Sequence, residues 1–260
     1  MKKRGEKIAC LTAYDFPTAR ILDRSGVDLV LVGDSAANVV YGMASTLTIG
    51  MDEMVYHTRA VAAGVERALV VTDMPFLSFQ VSVEETIANA GRLMKAGAEA
   101  VKVEGASVPL LESIRRLVEV GIPVLGHLGL TPQSVHRLGG YRLQARREPE
   151  REKLAADARA LEAAGCFAVV LEKVPAEAAA RVTRSLGIPT IGIGAGPDCD
   201  GQVLVLHDML GMFDEPALKF VRRYAELGGE IGRAVGEYCA DVREGRFPAE
   251  EHTFRVDADG

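Results

Sequence analysis

Eight short apolar runs recur along the chain, at residues 8–11, 29–32, 69–72, 100–103, 124–128, 168–171, 190–193 and 203–206, each ended by Gly or a polar residue. Stretches with apolar residues at three and four spacing separate them, at residues 17–25, 51–63, 82–95, 108–120, 153–164 and 176–185. Runs rich in Val, Ile and Leu on both faces suit strands buried on both sides, as in a parallel sheet wrapped by helices, whereas strict alternation would describe a one-sided sheet. Gly, and twice Pro soon after it, stops the helical stretches at Gly97, Gly121-Ile122-Pro123, Gly165 and Gly187-Ile188-Pro189. Eight βα-type units in one chain predict a (β/α)₈ TIM barrel, with an open doubly wound sheet as the competing arrangement. Residues 1–260 read as a single barrel domain with a C-terminal helical extension, whose pattern starts near Glu215 and ends at Phe247-Pro248.

Several function classes are excluded at the outset. Hydrophobic residues make up 48% of the 260 and the formal net charge is −6, with no basic run longer than Lys2-Lys3-Arg4, so no electrostatic footprint for nucleic acid or anionic lipid is present. No window approaches the roughly 18 apolar residues of a membrane helix, and Glu6, Lys7, Thr12 and Asp15 interrupt any secretory signal. Cys10, Cys166, Cys199 and Cys239 are widely spaced, without metal or disulfide patterning, which points to a reducing, cytoplasmic setting.

In a barrel, residues just after the strands gather on one rim, where such folds keep their chemistry. That rim comprises Asp34 and Ser35 after the second run, Asp73 after the third, Lys102 and Glu104 at the fourth, His127 at the fifth, Glu172 at the sixth, and His207 and Asp208 at the eighth. Asp34, Asp73 and Glu104 lie on neighbouring strands, and converging carboxylates suit a hard cation such as Mg²⁺ chelated by an α-keto acid; the simpler role is helix capping or pairing with Lys or Arg. Period-two alternation puts Lys102 and Glu104 on one face, the lumen, where Lys102 serves to bind an anion, to neutralise Glu104 or, less favoured, to form a Schiff base. Glu172 is a candidate general base, with an ion pair to Lys173 or Arg181 as its alternative. His127 is flanked by Gly126 and Gly129, which permit close approach of ligand or backbone; His57 and His207 suit supporting roles, and His136 and His252 the surface. Residues 36–50 and 129–149 are too long for ordinary βα loops and are expected to serve the site. Gly192-Ile193-Gly194-Ala195-Gly196 lacks dinucleotide-fingerprint spacing and reads as a tight loop or a phosphate cradle.

Seven ordered motifs make the chain resemble the ketopantoate (3-methyl-2-oxobutanoate) hydroxymethyltransferase family. They are Leu11-Thr12-Ala13-Tyr14-Asp15, Val32-Gly33-Asp34-Ser35, Asp73-Met74-Pro75-Phe76, Val101-Lys102-Val103-Glu104-Gly105, the stretch from Gly126-His127 to Gln133-Ser134, Gly139-Gly140-Tyr141, and Ile191 to Gly196. The resemblance implies a barrel of the phosphoenolpyruvate/pyruvate type, Mg²⁺ at Asp34, Asp73 and Glu104, keto-acid contacts from Ser35, Asp73 and Lys102, and Glu172 as proton acceptor. It also implies 3-methyl-2-oxobutanoate and 5,10-methylenetetrahydrofolate as substrates, 2-dehydropantoate as product, a first committed step of pantothenate synthesis, and a homo-oligomer described in the family as a decamer. His127 joins Asp34, Ser35, Asp73 and Lys102 as a candidate substrate contact. This sequence departs from the family at Ala106 and Ala145, where Gly is usual, at Thr48-Ile49-Gly50, and at Lys173, where a small residue or Cys often stands. The rival enzyme class is a Mg²⁺-dependent carbon–carbon lyase or mutase acting on an α-keto acid, which would be expected to carry a reactive Cys in a gating loop. A sugar-phosphate isomerase leaves the carboxylates unexplained, and a non-catalytic barrel would have lost them.

Overall fold

In the computed structural model, residues 1–213 and 218–255 are described. Eight strands, β1 (Ile8–Thr12), β2 (Leu29–Val32), β3 (Leu69–Asp73), β4 (Ala100–Glu104), β5 (Val124–Gly129), β6 (Ala168–Glu172), β7 (Thr190–Ile193) and β8 (Gly201–Leu204), pair in sequence order, all parallel, and β8 returns to β1 to close the barrel. Helices α1 (Phe16–Arg24), α2 (Ala36–Val39), α3 (Met51–Ala62), α4 (Val83–Lys95), α5 (Val108–Glu119), α6 (Val135–Leu138), α7 (Glu148–Ala164) and α8 (Ala176–Ser185) connect the first seven strands. The doubly wound alternative is thereby excluded, since an open sheet has two edges and this one has none.

Two compact units divide the chain, 1–206 with the barrel and 207–260. Helix α9 (Leu206–Met209) lies at the boundary, and α10 (Leu227–Arg243) is the long helix of the second unit. The helical pattern expected from Glu215 is seen from Leu227; Glu215 itself lies outside the described residues, and His207 and Asp208, expected on the barrel rim, fall in the second unit.

Most runs extend one residue further than their apolar pattern, because a polar or glycine residue takes the last lumenal position: Thr12, Asp73, Glu104, Gly129 and Glu172 each end a strand. The eighth run is displaced, since β8 begins at Gly201 and tolerates the exposed Gln202, while Leu206 already starts a helical turn. No helix occupies residues 194–200 between β7 and β8.

Alternation within the strands sets up the site. Cys10, Leu29, Leu31, Val71, Ala100, Leu125, Ala168, Val170, Ile191 and Val203 form the apolar plug of the barrel interior. Two residues beyond four of these, on the same face, stand Asp73, Lys102, His127 and Glu172, with Glu104 two further than Lys102. The lumen is therefore apolar at its N-terminal end and charged at its C-terminal end. The opposite faces of the strands pack against helices; Gly126 there admits Leu161 of α7, whose Cδ1 would lie 2.8 Å from an added Cβ. Packing, not ligand access, explains that glycine.

Candidate active site

Five charged side chains from four consecutive strands meet at the barrel mouth. Lys102 Nζ donates to Asp73 Oδ1 at 2.8 Å, and both side chains are almost fully buried, at 6% and 4% exposure. The other oxygen of Asp73, Oδ2, accepts the Asp34 backbone N–H at 3.0 Å, which ties the turn after β2 to the end of β3. Across from this pair, His127 stands between two carboxylates, with Nδ1 3.2 Å from Glu104 Oε1 and Nε2 3.3 Å from Glu172 Oε2. Neither contact is aligned as a hydrogen bond. Glu172 is the least enclosed of the set, with its side chain 15% exposed against 3% for Glu104 and 2% for His127.

Burial and mutual repulsion govern protonation. Desolvation, reinforced by the charges of Asp73 and Glu104, holds the Asp34 carboxyl well above the usual carboxylate range. Burial opposes the Lys102 ammonium, but Asp73, Glu104 and Asp34 together outweigh it and push its pKa above the ordinary lysine value. Such a lysine stays protonated, which removes the free amine a Schiff base requires. For His127, burial and the Lys102 charge disfavour the imidazolium, yet Glu104 and Glu172 prevail and its pKa rises to about 9. Glu104 is held below its ordinary value, because His127 and Lys102 together with the Gln133 N–H overcome desolvation.

Gln133, quoted above only as part of a motif, turns out to join these groups. Its amide Nε2 donates to Asp34 Oδ2 and to the Met74 carbonyl, both at 2.9 Å, and its backbone N–H donates to Glu104 Oε2 at 3.0 Å. Gln80 Nε2 donates to its Oε1 at 3.2 Å. The available sequence signal was the long segment 129–149, whose 3₁₀ turn Pro132–Ser134 delivers Gln133 to the site. Tyr14 was likewise quoted only within a motif, whereas His57 was expected in a supporting role. Tyr14 Oη shares a 2.8 Å hydrogen bond with Ser35 Oγ, while His57 sits between the Tyr14 carbonyl at 2.7 Å and Tyr41 Oη at 2.9 Å.

Asp34, Asp73 and Glu104 do converge, but among the described residues no group of three or more acidic, His or Cys side chains is set at metal-holding geometry. Their oxygens are engaged by Gln133, Lys102 and His127 instead. The donor chemistry nevertheless fits a hard cation. Three buried carboxylates share the pocket, Asp34 carries the electrostatic cost of its neighbours, and Glu104 Oε1 lacks an aligned donor.

Lys173, an alternative partner for Glu172, donates to the Tyr141 carbonyl at 3.2 Å, and Arg181 pairs with Glu148 at 2.6 Å. Lys173 and Ala145 adopt left-handed backbone, φ 44° and 53°. Two of the departures noted in the sequence thus fall at conformations that residues with a Cβ adopt at a cost. Gly129 is set at φ +90°, and a Cβ there would lie 2.2 Å from the Glu172 carbonyl oxygen. Gly129→Ala is therefore expected to destabilise the barrel by about 2–4 kcal/mol and, by displacing Glu172, to lower turnover about 10²-fold. Thermal melting and rate assays on one preparation check both; an alanine variant that matches wild type in each would refute the constraint.

The sequence model of ketopantoate hydroxymethyltransferase matches residues 1–250. Proteins named 3-methyl-2-oxobutanoate hydroxymethyltransferase from Syntrophotalea carbinolica and Moorella thermoacetica are each 56% identical over 98% of this chain and 95% of their own. This chain belongs to the ketopantoate hydroxymethyltransferase family. That family is enzymatic, and the fold is shared more widely: 2,3-dimethylmalate lyase superposes with a TM-score of 0.62 at 17% identity, covering 97% of this chain and 88% of that one. Phosphonopyruvate hydrolase in complex with oxalate and Mg²⁺ superposes with the same TM-score at 12% identity, over 96% and 89%. Those two likenesses describe the fold alone. Cys10, Cys166 and Cys199 are buried, and burial pushes the Cys10 and Cys166 thiols up to about 12, so these three are not the reactive thiol a lyase loop would carry. No helix among the described residues is long and apolar enough to cross a membrane.

Proposed function

We propose that this ketopantoate hydroxymethyltransferase converts 3-methyl-2-oxobutanoate and 5,10-methylenetetrahydrofolate to 2-dehydropantoate, using Asp34, Ser35, Asp73, Lys102, Glu104, His127 and Glu172. Family membership over residues 1–250 supports the reaction, and one observation supports the residue roles: Glu172, at the end of β6, is less buried than the enclosed Lys102–Asp73 pair. Asp34, Asp73 and Glu104 would hold Mg²⁺, which when bound supplies charge stabilisation at the keto oxygen as the C3 proton leaves.

The chain's own residues supply the rest. Lys102 keeps its ammonium and offers positive charge to the keto-acid carboxylate, while Asp73 fixes its position. Ser35, oriented by Tyr14, gives a hydroxyl at the same end of the site. Glu172 accepts the C3 proton, and His127 behind it holds that carboxylate in place and balances the charge of Glu104. C3 then forms its new bond to the folate-borne carbon as that carbon gives up its bonds to N5 and N10; water supplies the hydroxyl, and the remaining water proton and the proton taken from C3 go to the two nitrogens of the departing tetrahydrofolate.

Oligomerisation, with the family's decamer as the expected form, is supported by an exposed apolar series on α10, Ile231, Val235, Tyr238 and Val242. A cytoplasmic setting is supported by four cysteines that form no disulfide. The decisive experiment is Mg²⁺-dependent exchange of the C3 hydrogen of 3-methyl-2-oxobutanoate in D₂O, followed by NMR without folate, and then product formation with 5,10-methylenetetrahydrofolate. Exchange followed by 2-dehydropantoate formation is expected. Absence of both would overturn the assignment.

A further inference from the structure

Beside the charged cluster lies a cavity of about 240 Å³ between the loop after β3 and the start of α5, lined by Phe79, Gln80, Glu104, Ser107, Leu110 and Glu112 among others. Its walls are anchored. Ser78 accepts Asn89 Nδ2 at its carbonyl at 2.9 Å, Thr86 Oγ1 donates to the Phe79 carbonyl at 3.2 Å, and Ser82 Oγ caps α4 by accepting the Glu85 N–H at 3.1 Å. Two lining residues also belong to the site: Glu104 faces His127, and Gln80 donates to the Gln133 side chain that holds Asp34. An occupant of this cavity is therefore next to the reacting groups.

The lining chemistry is selective. Its lining residues include Glu112, Gln80 and the serines Ser82, Ser107 and Ser113, with Glu104 at the side next to His127, but no Lys, Arg or His. Apolar surface comes from Phe79, Val83, Pro109 and Leu110. Such a cavity rejects a carboxylate or phosphate and suits a flat neutral heterocycle with several N–H groups along one edge, since an ionised Glu only accepts hydrogen bonds. Resting on the reaction proposed above, the one-carbon donor must bring its carbon to about 3–3.5 Å from C3 of the keto acid, so its ring has to lie against the cluster. We propose that this cavity is the subsite for the pterin ring of the folate co-substrate, with Glu112 accepting hydrogen bonds from its amino and ring N–H edge, and that the anionic glutamate tail extends away from it.

The test uses the full-length enzyme with two variants at the rim, Glu112→Gln, which removes the charge and keeps the shape, and Ser107→Phe, which fills the cavity from the start of α5. Binding of tetrahydrofolate is measured by calorimetry, the KM for 5,10-methylenetetrahydrofolate by steady-state kinetics, and C3 exchange in D₂O without folate reports on the rest of the site. The expected result is a rise of about 10-fold or more in the tetrahydrofolate Kd and in KM for both variants, the size of a lost charge-assisted hydrogen bond, with exchange at the wild-type rate. Folate affinity within about twofold of wild type in both variants, while exchange and transfer persist, overturns the subsite and leaves the reaction standing. Loss of exchange together with folate affinity in folded variants also overturns it, because the residues then act on the keto-acid site. Wild type that binds tetrahydrofolate but neither exchanges C3 hydrogen nor forms product overturns the reaction instead.

Discussion

Glu172→Gln is expected to slow C3 hydrogen exchange of 3-methyl-2-oxobutanoate by about 10²–10⁴-fold, the contribution of a positioned general base, while the protein melts close to wild type. The amide keeps the size of the carboxylate and can still meet His127, whose Nε2 stands 3.3 Å from Oε2, so packing at the end of β6 is little disturbed. What disappears is basicity at the least enclosed carboxylate of the cluster. Asp73 and Glu104 cannot take over, because Lys102 and His127 hold them almost wholly enclosed. Glu172→Asp separates basicity from reach: it keeps the charge but withdraws it by one methylene, and a misplacement of about 1 Å can itself cost 10²-fold. NMR exchange rates for wild type and both variants, at saturating keto acid and Mg²⁺, decide the matter. A Gln variant within threefold of wild type, on the scale of roughly 10² that a base contributes, would refute Glu172 as the proton acceptor.

The barrel was legible because its strands are apolar on both faces, and the rim was legible because polar residues end those runs at Asp73, Glu104 and Glu172. Side-chain partnerships were less so. That Lys102 faces the lumen follows from its two-residue spacing to Glu104, but that it chooses Asp73 depends on the β3–β4 register, which sets Asp73 opposite Lys102. Likewise Glu104 is opposite His127 across β4 and β5, a register no local pattern encodes. Gln133 escaped assignment because neutral amides carry no charge signal; its role arises only when a loop after β5 folds back over β2 and β4 to reach Asp34 and Glu104. Gly129 shows the same limit. Beside His127 it suggested room for an approaching group, and the group is the Glu172 carbonyl of the neighbouring strand. The sequence placed no helical stretch between the seventh and eighth runs, and the structure has no helix there.

Lys102→Met is expected to lower stability by about 3–5 kcal/mol, the cost of leaving a buried partner charge uncompensated, and to abolish keto-acid turnover. The side-chain volume is nearly preserved, so the loss is electrostatic. Asp73 would retain its bond from the Asp34 N–H but lose the ammonium at 2.8 Å, while the carboxylates of Asp34 and Glu104 stay nearby. In a chain of this size that deficit lowers Tm by about 6–20 °C. Adding Asp73→Asn removes the stranded charge, and the double variant is expected to recover most of the melting temperature, because a neutral pair in place of a buried ion pair costs little. Activity should not return with it: the double variant lacks both the positive charge for the keto-acid carboxylate and a carboxylate for the cation. Stability and function are thus separable at one pair. Recovery of Tm without turnover would show that the pair does more than neutralise itself, whereas a double variant that regains turnover along with Tm would refute a functional role for both side chains.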